Sequence, residues 1–127
     1  MSAQTDRYIH ECLPAPEQWP QLLFDRPELQ FGPQINLVHE LLDLAAERGH
    51  ADRVLLRSPQ RMLTYAQVRH EVDSICHVLV NDLGLVPGQR VLLRGGNSIG
   101  LALAWLAVVK AGLVAVATMP LLRAREL

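Results

Sequence analysis

The sequence predicts an α/β fold, and features of its second half support this. Two short apolar runs, Arg90–Arg94 and Leu113–Thr118, have the length and composition of buried β-strands. The segment between them, Ile99–Ala111, is apolar nearly all round, as a buried helix would be. A strand, a helix and a strand at this spacing form a right-handed βαβ unit with parallel strands. Because the strands are continuously apolar, we expect helices on both faces of the sheet.

Composition excludes several classes of protein. Of the 127 residues, 50% are hydrophobic and 20% are charged, which is a globular balance. The net charge of −1 gives no electrostatic basis for nucleic-acid binding. Cys12 and Cys76 lack metal-ligand spacing, and two thiols in a chain of this size fit the cytoplasm better than a secreted, disulfide-bonded scaffold. The polar first residues do not resemble a secretory signal peptide.

The stretch from Ile99 to Leu122 raises the question of a membrane span. Its only charge is Lys110, and a window of this length could cross a bilayer. Lys110 lies in the middle of the stretch, however, and Gly112 and Pro120 interrupt it. A buried helix followed by a buried strand is the better interpretation, so no membrane contact is predicted.

The chain divides into a Pro-rich extended arm, residues 1–35, and a partial α/β domain, residues 36–127. Five of the eight prolines lie in the arm, which suits a segment wrapped on another part of a protein rather than an independent core. Its expected anchors are Trp19, Leu22, Leu23, Phe24 and Phe31.

A helix is predicted to open the domain, with Asn36 as its N-cap, Arg48 near its end and Gly49 just beyond it. One face of this helix should be buried, because apolar residues recur on it at helical spacing. These residues are Leu37, Leu41, Leu44 and Ala45.

A small hairpin follows, with strands Arg53–Arg57 and Met62–Tyr65 joined by a turn at Pro59. Thr64 and Gln67 have the spacing of a capping box, so a second helix begins here, and Gly84 ends it. Its buried face is predicted to carry Val68, Val72, Ile75, Cys76, Leu79, Val80 and Leu83.

The βαβ unit has turn and cap residues at its boundaries. Pro87 and Gly88 turn the chain into the first strand, Asn97 or Ser98 caps the helix, and Gly112 closes it. Two parallel strands cannot form a covered sheet, so the architecture is expected to be incomplete, with bare sheet edges. Because bare edges can pair with another chain, we expect the chain to self-associate, by edge-strand pairing or by exchange of the Pro-rich arm.

The segment Arg94–Gly100 lies between a strand and a helix, where phosphate-binding loops occur. Gly95 and Gly100 have the glycine spacing of a P-loop, but Leu101 and Ala102 stand where that loop needs lysine and serine or threonine. A structural turn with a helix cap is therefore a better interpretation than a nucleotide site.

Other candidate sites are also better explained structurally. His39–Asp43 departs from the zinc-protease motif because Asp43 replaces its second histidine, and no third ligand is evident. His70 and His77 are separated by about 10.5 Å along a helix, too far to share one metal easily. No catalytic residue and no metal site are predicted. The thiol of Cys76 and the indole of Trp105 are expected in the core.

Four segments, in order, resemble the N-terminal region of the adenylate-forming (AMP-binding) superfamily of acyl-CoA synthetases. They are Leu63–Val68, Leu83–Val91, Asn97-Ser98, and Leu106–Gly112 continuing to Pro120. Each is similar to a motif of the family, and the four together account for the capping box, the turn and the βαβ unit. The resemblance implies an α/β fold that is an incomplete, N-terminal portion of the large domain of such a synthetase.

Within that superfamily, Leu13–Pro20 and Leu22–Phe24 resemble the leader of 2-aminobenzoate-CoA and benzoate-CoA ligases. This implies an aryl-CoA ligase of aromatic degradation whose substrate is a small aromatic carboxylate, with 2-aminobenzoate the first choice. In the family's reaction the carboxylate attacks ATP to give an acyl-adenylate, and the CoA thiol then displaces AMP. ATP, Mg and CoA are thereby implied for a full-length enzyme.

The resemblance transfers no catalytic residue to this chain, because the family's phosphate loop, adenine motif, ribose aspartate and catalytic lysine have no counterpart in it. The chain alone is therefore expected to be inactive. Some relatives carry an arginine directly after the proline that corresponds to Pro120, toward CoA. Here Leu121 follows, and Arg123 or Arg125 could substitute, although a helix-surface charge is the simpler interpretation. The alternative function is a stand-alone α/β binding or regulatory module without catalysis.

Overall fold

A computed structural model describes residues 3–126 of the chain as a mixed α/β structure. Two small sheets and two main helices form most of its regular secondary structure. The regular elements are α1 (Tyr8–Glu11), β1 (Val54–Arg57), β2 (Met62–Thr64), α2 (Tyr65–His77), β3 (Arg90–Arg94), α3 (Ile99–Lys110) and β4 (Val114–Thr118). Shorter 3₁₀ turns span Pro16–Gln18, Pro27–Leu29 and Ala124–Glu126, and π-helical turns span His39–Asp43, Ala46–His50 and Val78–Asp82.

The predicted βαβ unit is confirmed. Strands β3 and β4 pair in parallel, with Arg90 opposite Val114 and Arg94 opposite Thr118, and α3 connects them. The Ser98 hydroxyl accepts a hydrogen bond from the Leu101 N–H, so Ser98 is the N-cap of α3. The predicted bounds of the strands and of α3 differ from the observed ones by one residue at most, as is usual at fraying ends.

The hairpin and the capping box are also confirmed. Strands β1 and β2 pair antiparallel, with an irregularity between Val54 and Leu56. At the start of α2, the Thr64 hydroxyl accepts from the Gln67 N–H while the Gln67 side chain accepts from the Thr64 N–H. These two bonds satisfy first-turn donors that would otherwise lack a partner, and so they fix where α2 begins.

The core lies where α2 crosses α3 and where α3 covers one face of the β3–β4 sheet. Val68 and Val72 on α2 and Ala107 and Val108 on α3 are almost completely inaccessible to solvent. The Cys76 thiol donates to the Ala107 carbonyl oxygen at 3.2 Å, so this thiol lies in the helix interface as predicted. Val80 and Leu83, which were predicted to be buried, are exposed, because the π-helical turn Val78–Asp82 changes the rotation of the last residues.

The helical turns before β1 bury a different face from the predicted one. Asn36 is the N-cap, as expected, since its side-chain oxygen accepts from the Val38 and His39 N–H groups. Leu37 and Leu41 are nevertheless exposed, and Val38 and Leu42 are buried instead. The physical reason is long-range: the Asn36 amide also donates to the Lys110 carbonyl oxygen at 2.8 Å, which fixes the rotation of these turns against the end of α3.

The second face of the β3–β4 sheet is uncovered within residues 3–126. Leu92 of β3 is 56% exposed and Val116 of β4 is 39% exposed, so the expectation of helices on both faces holds for one face only. Trp105 on α3, predicted to be core, is 37% exposed because α3 is covered only on the side that faces α2 and the sheet. We call the exposed side chains of Leu92 and Val116, which are paired across the two strands, the uncovered apolar face.

The N-terminal segment is attached at a point that the sequence did not indicate. The predicted anchors are all exposed, with Trp19, Leu22, Leu23, Phe24 and Phe31 each at least half accessible. Attachment comes instead from Thr5 and Asp6, whose N–H groups both donate to the Pro87 carbonyl oxygen at 2.9 Å. None of the described helices is both long and apolar enough to cross a bilayer.

Candidate functional site

The carboxyl ends of the parallel strands meet on one side of the molecule. We define the carboxyl edge as Arg94 and Thr118, which end β3 and β4, together with the segments that leave them, Gly95–Ser98 and Met119–Leu122. In open parallel sheets, ligands bind in the crevice outside the carboxyl ends of the strands. The carboxyl edge is therefore the first place to look for a functional site.

Arg94, at the end of β3, binds the main chain of the segment that follows β4. Its Nη2 atom donates to the carbonyl oxygen of Pro120 at 2.7 Å and to that of Leu122 at 2.8 Å. Because the donor is a charged guanidinium, these bonds are short and stronger than neutral ones. The segment after β4 is thereby held against the end of β3.

The hydroxyl of Thr118 is an unusual feature of the same edge. Its Oγ1 atom is inaccessible to solvent and makes no hydrogen bond to any residue from 3 to 126. A buried polar group without a partner costs about 1–3 kcal/mol. Such an atom at the carboxyl edge marks a position where a partner from outside the described residues would be stabilising.

The Gly95–Ser98 segment lacks the side chains that bind the phosphates of a nucleoside triphosphate in a P-loop. Leu101 and Ala102 lie half-buried in α3, at the positions where a phosphate-binding loop places its lysine and its magnesium-binding hydroxyl. The Ser98 hydroxyl is occupied in capping the Leu101 N–H. The predicted helix cap is present at Ser98, and the preference for a structural turn over a nucleotide site stays a prediction.

A cluster of charged side chains lies at the other end of α3, around its last residue, Lys110, and no sequence pattern indicated it. Asp43 is only 6% exposed, and its carboxylate contacts Lys110 Nζ at 2.9 Å, His39 Nδ1 at 3.2 Å and Arg69 Nε at 3.4 Å. Lys110 also binds Asp73 at 2.6 Å. The available signal was a single lysine within an apolar helix, since a charge in such surroundings is normally paired.

Electrostatics in this cluster favour the charged forms. Burial raises the pKa of the Asp43 carboxyl, but hydrogen bonds from Lys110 and His39 and the charges of Lys110 and Arg69 outweigh burial, so the pKa lies below its usual value of 3.8. Burial lowers the pKa of Lys110, but hydrogen bonds to Asp73 and Asp43 raise it above 10.5. The cluster is therefore an ion-pair network that connects three helical segments.

The remaining sequence candidates do not assemble into a reactive site. His39 and Asp43, the ends of the zinc-like motif, contact each other, with His39 Nδ1 3.2 Å from the Asp43 carboxylate. Among residues 3–126, no group of three His, Cys, Asp or Glu side chains is arranged to hold a metal ion. His70 and His77 are exposed. Burial raises the pKa of the Cys76 thiol, which disfavours the reactive thiolate.

Arg123 lies on the surface just after the carboxyl edge. Its backbone N–H donates to the Glu126 carboxylate at 2.6 Å, just before the Ala124–Glu126 turn. The role predicted for Arg123 toward CoA stays a prediction.

A short N-terminal strap, Thr5–Tyr8, crosses the turn that leads into β3. The Asp6 carboxylate accepts from Arg90 at 2.8 Å, and the Arg90 guanidinium lies 4.6 Å from the centre of the Tyr8 ring. Gly88 lies directly under the strap in a left-handed conformation, with φ of 96°, and a methyl group there would overlap the Asp6 carbonyl oxygen. The strap explains why this position is glycine.

A groove of about 670 Å³ lies between the strap and the end of α3, lined by Gln4, Ile35, Pro87 and Lys110 among others. The Lys110 ammonium group is directed at Asp43 and Asp73, so its charge is already neutralised. The groove therefore presents mainly apolar and backbone surface.

Comparison with known proteins gives the family. Residues 42–127 match the family model described as AMP-binding enzyme. The acetyl-coenzyme A synthetases of Mycobacterium bovis and Mycobacterium tuberculosis are each 35% identical over 68 residues, which cover 49% of this chain and 10% of the relative. The chain thus spans a small part of the length of these curated relatives.

Solved structures give the same result for the fold. The Klebsiella oxytoca NpsA N-terminal subdomain aligns with a TM-score of 0.65 and 26% identity, over 72% of this chain and 23% of that one. The anthranilate CoA ligase AuaEII in complex with anthranoyl-AMP aligns with a TM-score of 0.65 and 27% identity, over 70% and 17%. A benzoate CoA ligase from Burkholderia xenovorans, at 22% identity and a TM-score of 0.62 over 70% and 18%, shares the fold. The chain belongs to the AMP-binding enzyme family of adenylate-forming acyl-CoA and aryl-CoA ligases, and its fold matches a part of their N-terminal subdomain.

Proposed function

We propose that this chain is the N-terminal scaffold of a cytoplasmic aryl-CoA ligase that acts in aromatic degradation. In this proposal an aromatic carboxylate reacts with ATP and Mg to give an acyl-adenylate, and CoA then releases AMP to form the thioester. The first substrate to test is 2-aminobenzoate. The unpaired cysteines Cys12 and Cys76 fit a reducing compartment.

One observation carries the choice of substrate. AuaEII is bound to anthranoyl-AMP, and Klebsiella oxytoca NpsA, at 29% identity, is bound to 3-hydroxyanthranilyl-AMSN. Both ligands contain a 2-aminobenzoyl group. The Leu13–Pro20 leader of this chain independently resembles that of 2-aminobenzoate-CoA ligases. The longer mycobacterial relatives are named acetyl-coenzyme A synthetases, so acetate is the competing substrate to test.

The chemistry of the described residues supports a scaffold role rather than catalysis by this chain alone. Phosphoryl and adenylyl transfer need donors that neutralise the charge on the phosphates. The positive charges of Lys110 and Arg69 are paired with the Asp43 carboxylate. What the chain offers is a parallel strand pair with a carboxyl edge, which can form one wall of a substrate site.

The test begins with the gene. If the reading frame continues past residue 127, the longer product and the 127-residue chain are purified separately. Exchange of pyrophosphate into ATP is then measured with 2-aminobenzoate, benzoate and acetate. We expect exchange only with the longer product, and the largest kcat/KM for 2-aminobenzoate.

Two results would contradict the proposal. Robust exchange by the 127-residue chain would show that it is not merely a scaffold. A preference of the longer product for acetate would replace the aromatic substrate with a short aliphatic one. A stop codon directly after residue 127 would favour the alternative of a binding module that docks onto a separate ligase.

A further inference from the structure

The segment Met119–Leu122 has few contacts that could hold it in place. Its internal hydrogen bond runs from the Leu122 N–H to the Met119 carbonyl oxygen at 3.2 Å. Met119 is 63% exposed and Leu121 is 85% exposed, and Leu122 alone in the segment is half-buried, so side-chain packing holds one end of the segment at most. The two charge-assisted bonds from Arg94 are therefore the main tether of this segment among the described residues.

The sheet register makes this tether possible. Arg94 and Thr118 are directly paired as the last residues of β3 and β4. The Arg94 side chain thus begins level with the point where the chain leaves β4, and its long stem reaches the second and fourth residues beyond that point. One guanidinium nitrogen satisfies two main-chain carbonyl oxygens, which need a partner because they lie past the end of the ladder.

We propose that Arg94 is a positioning residue that fixes Met119–Leu122 across the carboxyl edge and thereby sets the shape of the substrate site at this edge. The inference rests on the proposed function for the identity of the reaction. Arg94 does not touch the reacting atoms in this proposal. It acts through the main chain of Pro120 and Leu122, and the unpartnered Thr118 hydroxyl lies at the start of the segment it holds.

The positioning role is tested first by limited digestion of the intact chain with trypsin. Cleavage after Arg123, just beyond the tethered segment, is followed by mass spectrometry in the wild type and in Arg94→Met, Arg94→Lys and Arg90→Met. We expect Arg94→Met to accelerate this cleavage about tenfold or more, which corresponds to about 1.4 kcal/mol of lost tether at 25 °C. Arg94→Lys should lie between, since its ammonium group reaches one atom less far.

Arg90→Met is the matched control. Arg90 opens the same strand that Arg94 ends, but it contacts Asp6 and Tyr8 instead of the segment after β4. We expect it to leave cleavage after Arg123 at the wild-type rate. Equal rates in Arg94→Met and wild type would overturn the tether, and so would equal acceleration by both arginine variants.

The effect on the substrate site is tested in the active longer product. We expect Arg94→Met to raise KM for 2-aminobenzoate or CoA severalfold, with partial rescue by Arg94→Lys and an unchanged thermal midpoint. An unchanged KM together with faster cleavage would make Arg94 a purely structural tether and overturn its role in the site. Absence of any ligase activity in the wild type would refute the proposed function, while the cleavage rates would still decide the tether.

Discussion

The Asp43 carboxylate and the Lys110 ammonium group lie 2.9 Å apart, although 67 positions separate them in the sequence. Lys110 is the only lysine of the chain and the last residue of α3. Its side chain also binds Asp73 of α2, and its carbonyl oxygen accepts from the Asn36 amide. One residue thus connects the helical turns before β1 to both main helices.

Lys110→Met should destabilise the fold strongly. Removal of one partner of a buried ion pair leaves an uncompensated charge. We therefore expect the free energy of unfolding to fall by about 3 kcal/mol. This is the lower end of the usual range, because Arg69 still faces Asp43. Urea unfolding measures this change. Asp73→Asn is the control, since Asp73 lies on the exposed side of the network and should cost less than about 1 kcal/mol. Equal losses in the two variants would contradict the importance of the buried pair.

Stability should decline at both ends of the pH range. The folded-state pKa of Asp43 is lowered, so its contribution is complete above its unfolded pKa of about 4 and is lost as pH falls through the lower folded value. The pKa of Lys110 is raised, so its contribution is complete below about pH 10 and is lost as pH rises through the higher folded value. Urea unfolding from pH 2 to pH 12 measures both limbs. Asp43→Asn should reduce the loss of stability at low pH. If that loss were unaltered, other carboxyl groups would be its cause.

Thr118→Val should stabilise the isolated chain or leave it unchanged. Valine has nearly the shape of threonine, and the substitution removes a buried hydroxyl that has no partner among residues 3–126. Thermal unfolding measures the effect. Thr64→Val is the control and should lose about 1 kcal/mol, because Thr64 caps α2. A clear loss of stability in Thr118→Val would mean that the hydroxyl is satisfied in solution.

Gly88→Ala should release the N-terminal strap. Its positive φ costs an L-residue about 1–2 kcal/mol, and the added methyl group would displace Asp6. We expect faster proteolysis after Arg7 and a lower thermal midpoint. Gly96→Ala is the control, because open space surrounds Gly96. If both variants behaved alike, the close approach of Asp6 would not be what requires glycine.

The purified chain should self-associate through the uncovered apolar face. Sedimentation velocity at rising concentration is expected to show species larger than the monomer. Leu92→Lys should weaken the association, because it places a charge on that face. Leu83→Lys is the matched control, since Leu83 is equally exposed but lies beyond the end of α2. A monomer at every concentration would contradict the prediction.

The elements of this fold could be predicted where a few neighbouring residues determine them. The capping box of Thr64 and Gln67, the Ser98 cap and the left-handed Gly84 and Gly112 all act within one turn of chain. Their hydrogen bonds form between residues three to six positions apart, so the sequence pattern identifies them. The βαβ unit follows from apolar runs of the right length and from the right-handed connection rule.

The tertiary structure alone decided which residues meet across long separations. Burial of Val38 and Leu42 rather than Leu37 and Leu41 depends on how the Asn36 amide binds the end of α3. The carboxyl-edge tether from Arg94 to Pro120 and Leu122 depends on the parallel register. Periodicity states that a helix has an apolar face, but the rotation of that face is set by partners elsewhere in the chain. By itself the sequence therefore determined the secondary-structure elements and the family. The packing of these elements decided the ion-pair network around Asp43, the N-terminal strap and the carboxyl edge.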